Sequence, residues 1–194
     1  GRCLVGFYNY QVFQMKNDFN MCPMCASKKI ECRENKKWVC PDCGFDLYCN
    51  VASAVGALIY DDEKNVLFEV RAKDPAKGRL AIPGGFVNFD ERAEEAVIRE
   101  CREEIGVEVH NPEFLCTYPN TYLYKNIEYK TCDIFFTVKL KGSMSDFIKK
   151  LSAEKSEVVS FECHKVTCNS DIERLPLAFE STVNTIKKWI GVEG

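Results

Sequence analysis

No run of eighteen or more apolar residues occurs in the 194-residue chain, so the sequence offers no membrane-spanning helix and no membrane partner is expected. The first twenty residues lack a basic start followed by an apolar core, and no secretory signal is read there. Neither sign of charge dominates: Lys and Arg number 26 and Asp and Glu 29, for a net charge of −3. So slight an acidity gives no general attraction for nucleic acid. Internal repeats and low-complexity tracts are missing as well. Histidine is scarce, at two residues, and no cysteine stands in a His-plus-Asn context that would argue for a nucleophile. What is present, 46% hydrophobic and 28% charged residues, suits one medium globular domain with a small appendage in a cytoplasmic protein.

Cysteine, by contrast, is abundant, at twelve residues. Four of them form Cys22-Pro-Met-Cys25 and Cys40-Pro-Asp-Cys43, two CxxC pairs with fourteen residues between. This spacing points to a Cys₄ zinc ribbon, each pair making a knuckle with both thiolates aimed at one Zn²⁺. Pro23, Pro41 and Gly44 suit the turns, and the segment from Glu31 to Cys40 reads as a hairpin with an Asn-Lys turn. A unit of roughly 30 residues buries too little surface to fold alone, so the metal would supply the folding energy. A disulfide scaffold is the rival reading, and Cys32 or Cys49 could substitute as ligands. Cys101, Cys116, Cys132, Cys163 and Cys168 are expected to be buried thiols. Besides a structural job, the ribbon could wall the substrate pocket. It could also bind nucleic acid through Lys28, Lys29, Arg33, Lys36, Lys37 and Trp38, although such a run is also what a solvated surface looks like.

Residues 85–107, GFVNFDERAEEAVIRECREEIGV, are dense in carboxylates. At roughly 100° per residue, a helix over Glu91–Ile105 gathers Ala93, Ala96, Val97 and Cys101 into an arc of about 140°. Glu100 and Glu104 fall inside this apolar arc and Glu103 beside it, while Arg92, Glu95, Arg99 and Arg102 fall on the solvent side. Ionised carboxylates are seldom buried without a partner. A cation is the natural partner, and an all-oxygen set suits Mg²⁺ or Mn²⁺. The plain alternative is a solvated acidic helix. Asp90 is read as the helix N-cap, with a further carboxylate near the metal as the other possibility.

The order Gly85, Glu91, Arg99-Glu100, apolar Cys101, Glu103-Glu104, Gly106 and apolar Val107 resembles the Nudix box, with Asp90 where the family often has Gly. The resemblance implies a fold of the α/β (α+β) class. Its expected form is an α/β/α sandwich around a mixed sheet over 51–194, preceded by the ribbon at 21–50. Residues 1–20 are expected to be an extension, disordered or foreign to the native chain, with Met15 or Met21 as the native start. The implied reaction is hydrolysis of a pyrophosphate linkage in a nucleoside diphosphate joined to another moiety. Glu100, Glu103 and Glu104 are the expected metal ligands, joined by the Gly85 carbonyl. Glu91 and Arg99 resemble the pair that braces loop against helix. Glu154 and Glu157 resemble a later carboxylate site, as ligands or base, and the solvated-surface alternative stays open for both. Arg71, Arg79 or Lys77 are candidates for phosphates, and Phe86, Tyr122 and Tyr124 for the rest of the substrate.

Elsewhere, strands are expected at Val51–Tyr60, Val66–Arg71, Ala81-Ile82, Val107–His110, Glu113–Tyr118 and Val158–Phe161. A hairpin around Asn126 is expected from Tyr122 to Leu140, a weak helix at Ser143–Ser156 and an amphipathic helix at Ala178–Ile190. Ribbon plus box is similar in layout to NADH pyrophosphatases, but the Ser-Gln-Pro-Trp type segment of that group is missing here. The layout of ribbon-bearing enzymes that cleave ADP-ribose and FAD is also similar, including Leu177-Ala-Phe-Glu-Ser181. An ADP-ribose- or FAD-type substrate is therefore expected, with NADH or an RNA cap as alternatives, a homodimer as an option, and a non-catalytic ligand sensor as the reading from another class.

Overall fold

A computed structural model describes residues 19–124 and 127–191. Expectations about residues 1–18 and the turn at Asn126 lie outside these residues. The chain divides between Asn50 and Val51 into two compact units.

In the first unit β1 (Glu31–Arg33), β2 (Lys37–Val39) and β3 (Asp46–Tyr48) form an antiparallel sheet in the order β1-β2-β3. The β1–β2 turn is centred on Glu34-Asn35 rather than Asn-Lys. Both residues have positive φ, 53° and 54°, and the Lys36 amide donates to the Arg33 carbonyl, the signature of a tight I′-type hairpin. Each CxxC closes in the same way: the Ala26 amide donates to Cys22 O and the Gly44 amide to Cys40 O, both at 2.9 Å. The four sulfurs lie within 4.8 Å of one another. Cys22 and Cys43 Sγ are 3.6 Å apart and Cys25 and Cys40 Sγ 3.7 Å. Four thiolates at about 2.3 Å from a tetrahedral zinc ion would stand about 3.8 Å apart, so the site fits zinc. A disulfide, with sulfurs about 2 Å apart, does not fit. Cys32 and Cys49 are outside this cluster.

The second unit is built on β4 (Ala52–Tyr60), which runs parallel to β8 (Ile127–Lys139) from Ala52↔Thr131 to Tyr60↔Lys139. β7 (Glu113–Tyr124) lies antiparallel on the far side of β8. β5 (Asn65–Arg71) turns back from β4 and pairs with β6 (Leu80–Ala81) and β9 (Val158–Lys165). The sheet is therefore mixed. Alternation along β4 sends Val55, Ala57 and Ile59 to one face and Leu58 to the other. The first face packs on α1 (Ala93–Ile105) through Ala96, Val97, Cys101 and Ile105. The second packs on α3 (Asn169–Glu173) and α4 (Glu180–Ile190) through Ile172 and Ile186. Each fully buried Leu, Ile or Phe in these layers contributes about 1.5–3 kcal/mol. A short α2 (Met144–Ile148) completes the unit, and among the described residues no helix is long and apolar enough to cross a membrane.

Several expectations are corrected. Residues 107–110 form no strand, because Gly106 ends α1 in the left-handed region (φ 72°) and turns the chain away. Glu113–Tyr118 and Tyr122 onward are one strand, since Pro119 sits on β7 at the sheet edge, where its missing N–H disrupts no central ladder. The segment from Ser143 to Ser156 is helical only at Met144–Ile148. Cys163 and Cys168 are exposed rather than buried. Asp90 falls in a turn, and the N-cap of α1 is Arg92, two residues later.

The ribbon geometry predicts one zinc per chain by elemental analysis of the protein purified without chelator. Cys40→Ser should drop this below half. Full zinc in that variant would refute the four-cysteine assignment.

Candidate active site

The loop between β6 and α1 lies along β4. Ala57 N–H donates to Pro83 O and Val55 N–H to Gly85 O, each at 2.8 Å, and Val87 N–H donates to Ser53 O at 3.0 Å. This seating leaves no room for side chains at the two glycines. A Cβ on Gly84, whose φ is 158°, would stand 2.1 Å from Val55 O, and one on Gly85 would stand 2.6 Å from Glu100 Oε1. The Gly84 amide donates to Glu104 Oε2 at 2.7 Å. At this same C-terminal end of α1 the Ser152 amide donates to Ile105 O and the Glu154 amide to Glu104 O. That satisfies the terminal carbonyls of the helix and brings the segment 154–157 to the same place.

Arg99 ties this assembly together. Its Nε and Nη2 grip both oxygens of Glu91 at 2.8 and 2.9 Å. Nη1 reaches Glu100 at 2.7 Å and Glu103 at 3.1 Å. Nη2 also donates to Phe86 O at 3.0 Å. The wheel set Arg99 on the solvent side, yet its side chain is 18% exposed, because it folds back across the loop. Its charge holds the Glu91 carboxyl below the usual carboxylate range. Glu100, 13% exposed, is shifted upward by burial, with Arg99 opposing. Burial pushes Glu104 up to about 8; the Gly84 amide opposes this and repulsion from Glu100 and Glu157 adds to it. Glu103 is more open, at 54%.

These groups line one end of a cavity of about 540 Å³, together with Gly84, Gly85, Arg71, Lys73, Glu154 and Glu157. Lys73 is ion-paired with Glu157. Arg71 donates to Pro75 O and lies 5.0 Å from the Phe179 ring centre. The other end is aromatic and hydroxylic. Phe86 meets Tyr122 edge-on at 5.7 Å, and Tyr122 lies 6.0 Å from Phe179 and 6.5 Å from Tyr124. At its floor Asp133, 8% exposed, accepts from Thr131 Oγ1 at 2.6 Å and Ser181 Oγ at 2.8 Å.

The structure thus brings Glu100, Glu103, Glu104, Glu154, Glu157, Arg71, Arg99, Gly85, Phe86, Tyr122 and Tyr124 to one cavity. Glu91 reaches it through Arg99. Arg79 does not line it and donates instead to Leu177 O at 3.1 Å. Sequence reasoning missed Lys73, Asp133, Ser181 and buried Glu69. The available signals were Asp133 inside an apolar strand and Glu69 inside another. The glutamates that line the cavity offer only oxygen donors, which suits a hard cation; Glu69, which does not line it, has its Oε1 buried without a partner.

A family model described as the NUDIX domain matches residues 51–176. The chain belongs to the NUDIX family. Its Nudix fold is seen in the NUDIX domain of Shewanella oneidensis NrtR complexed with ADP ribose. That similarity has a TM-score of 0.56 at 22% identity, over 72% of this chain and 86% of that one. An ADP-ribose pyrophosphatase of Methanocaldococcus jannaschii is 42% identical over 82 residues, 42% of this chain and 44% of the relative. The NAD-capped RNA hydrolase NudC of Pseudomonas aeruginosa is 28% identical over 113 residues, 58% of this chain and 40% of the relative. The matches span less than half the length of these curated relatives.

Glu104 gives this Nudix domain a pH dependence. Its folded pKa is raised from 4.5 to about 8. Its contribution is thus fully present below the unfolded value and is lost as pH rises through the folded one. With no divalent cation added, the melting temperature should fall between about pH 5 and pH 8, and Mg²⁺ should raise it more at the upper end. A melting temperature that is flat or climbs over this window, or an equal Mg²⁺ gain at both ends, would contradict the assignment.

Proposed function

We propose that the protein hydrolyses the pyrophosphate linkage of a nucleoside diphosphate joined to another moiety, of the ADP-ribose or FAD type, releasing two monophosphates. The observation that carries this reading is the meeting of a carboxylate end and an aromatic end in one cavity of about 540 Å³. That volume lies within the roughly 300–1,000 Å³ typical of small-molecule sites. The name of the Methanocaldococcus relative supports the substrate class.

Glu100, Glu103 and Glu104 would hold Mg²⁺ or Mn²⁺, with the Gly85 carbonyl as a further ligand. When bound, such an ion neutralises phosphate charge and makes water more acidic. Arg99 positions Glu100 and Glu103 and braces the loop through Glu91. Lys73 and Arg71 stand where they can meet phosphate oxygens. Glu157, or Glu100, takes a proton from the attacking water; Glu154, whose Oε1 accepts from the Ser156 amide, supports the loop that carries Glu157. Phe86, Tyr122 and Tyr124 offer faces for a base, a contact of about 1–3 kcal/mol. The Cys₄ cluster would hold a structural Zn²⁺.

We further infer a cytoplasmic setting, because thiolate ligands and the other free cysteines persist where thiols stay reduced. Disulfides found by thiol titration of freshly isolated protein would argue against it. A homodimer is also inferred, from the exposed Phe114 and Leu123 on edge strand β7. Sedimentation at the mass of a single chain would exclude it.

With Mg²⁺, ADP-ribose and FAD should release nucleoside monophosphate faster than NADH or NAD-capped RNA. Glu104→Gln should lower the rate at least about 100-fold, the scale of removing one key electrostatic group. Wild-type turnover in that variant would reject the metal-ligand role. Tight binding of ADP-ribose with no turnover of any substrate would instead favour a ligand sensor.

A further inference from the structure

β5 is apolar through Val66, Leu67, Phe68 and Val70, and Glu69 interrupts it. Val66 and Phe68 belong to the layer packed on α3 and α4, and Leu67 to the layer packed on α1. Side chains alternate along a strand, so Glu69 shares the face of Leu67 and points under α1. It is 4% exposed. Its strand partners there are Ala81 and Phe161, neither of which can neutralise or hydrogen-bond a carboxylate through its side chain. Glu69 Oε1 is buried with no hydrogen-bond partner. Burial holds its carboxyl well above the usual carboxylate range; the charges of Glu104, Glu157 and Glu100 add to this and Arg71 opposes it.

An orphaned carboxylate beside a second buried carboxylate is costly to the bare protein. A valine or leucine would pack at this position as Leu67 does two residues earlier, without that cost. Protonation would remove the charge yet leave Oε1 unpaired, whereas a cation reaching both side chains would answer the burial, the orphaned oxygen and the charge of Glu104 together. We propose that Glu69 is a further ligand of the divalent-cation centre, meeting the cation from the sheet side of α1 together with Glu104. This inference rests on the metal-dependent reading of the site but not on the identity of the substrate.

Glu69→Gln keeps the shape and removes the charge, and the test is Mn²⁺ binding to zinc-loaded protein without substrate. Free Mn²⁺ followed by electron paramagnetic resonance, with calorimetry in parallel, should show one site per chain lost or weakened at least about tenfold. The melting-temperature gain on adding Mn²⁺ should shrink, and the metal-free variant should melt no lower than wild type. Should Glu69→Gln fail to fold, Glu69→Leu, matched to the packing of Leu67, is expected to fold and to show the same Mn²⁺ loss. Unchanged Mn²⁺ stoichiometry and affinity in the folded variant would overturn the proposal and leave Glu69 a buried neutral acid. Lost Mn²⁺ with a wild type inactive on every nucleotide would keep this inference and reject the pyrophosphatase reading. Normal Mn²⁺ binding by the variant beside an active wild type would do the reverse.

Discussion

The constraint on which the NUDIX domain depends is a group of carboxyl side chains packed where water is scarce. Glu100 and Glu104 are buried on the last turns of α1, and Glu69 is buried on the sheet face that α1 covers. The position compounds the cost, because the C-terminal end of a helix carries the negative pole of its dipole. Arg102 stands in that last turn, but it is exposed and reaches outward to Glu108. Three features of the fold serve this cluster. Gly84 and Gly85 let a loop pass between β4 and the helix. The backbone of residues 152–154 closes the helix end. A Gly84 amide turned inward is the only direct hydrogen bond recorded to the Glu104 carboxylate among the described residues.

Arg99 does not compensate the whole cluster. It is the cation nearest the glutamates, yet its donors are committed to Glu91, Glu100, Glu103 and the Phe86 carbonyl. A guanidinium held by so many partners orders a loop well and neutralises Glu104 poorly. Lys73 is taken up by Glu157, and Arg71 is drawn toward Pro75 and Phe179. The protein's positive charges therefore shape the site, and the inner carboxyl groups are left to be relieved by protonation or by the proposed cation.

Helix α1 was legible in the sequence because a period of 3.6 carries its burial pattern within a single element: Ala96, Val97 and Cys101 show it, and Glu100 and Glu104 break it. The ribbon was legible because ligand spacing is local. Arg99 was misjudged because a wheel gives the direction of Cβ and not the reach of a long side chain. Glu69 escaped notice for a different reason. One charged residue in a short apolar strand gains meaning only when the helix covering that face is known, and this is a tertiary fact. Pro119 misled in the same manner: it ends a central strand but not an edge strand, and the position of β7 at the edge is a property of the whole sheet.

The division of the cavity also explains why the family was more readable than the ligand. The carboxylate end lies on a helix locked between a loop and a sheet, so a change there disturbs the core, the loop and the charge balance together. The aromatic end lies on Phe86, Tyr122, Tyr124 and Phe179, contributed by a loop, an edge strand and the start of α4. Phe86 is 41% exposed and Tyr124 40%. Residues so placed can be exchanged at small cost to folding, since surface substitutions seldom cost more than about 0.5 kcal/mol. Ligand preference can therefore change at that end while the carboxylate end stays fixed. Asp133 is the exception, buried and held by Thr131 and Ser181, so any hydrogen bond it offers a ligand is more rigidly set than the stacking contacts above it.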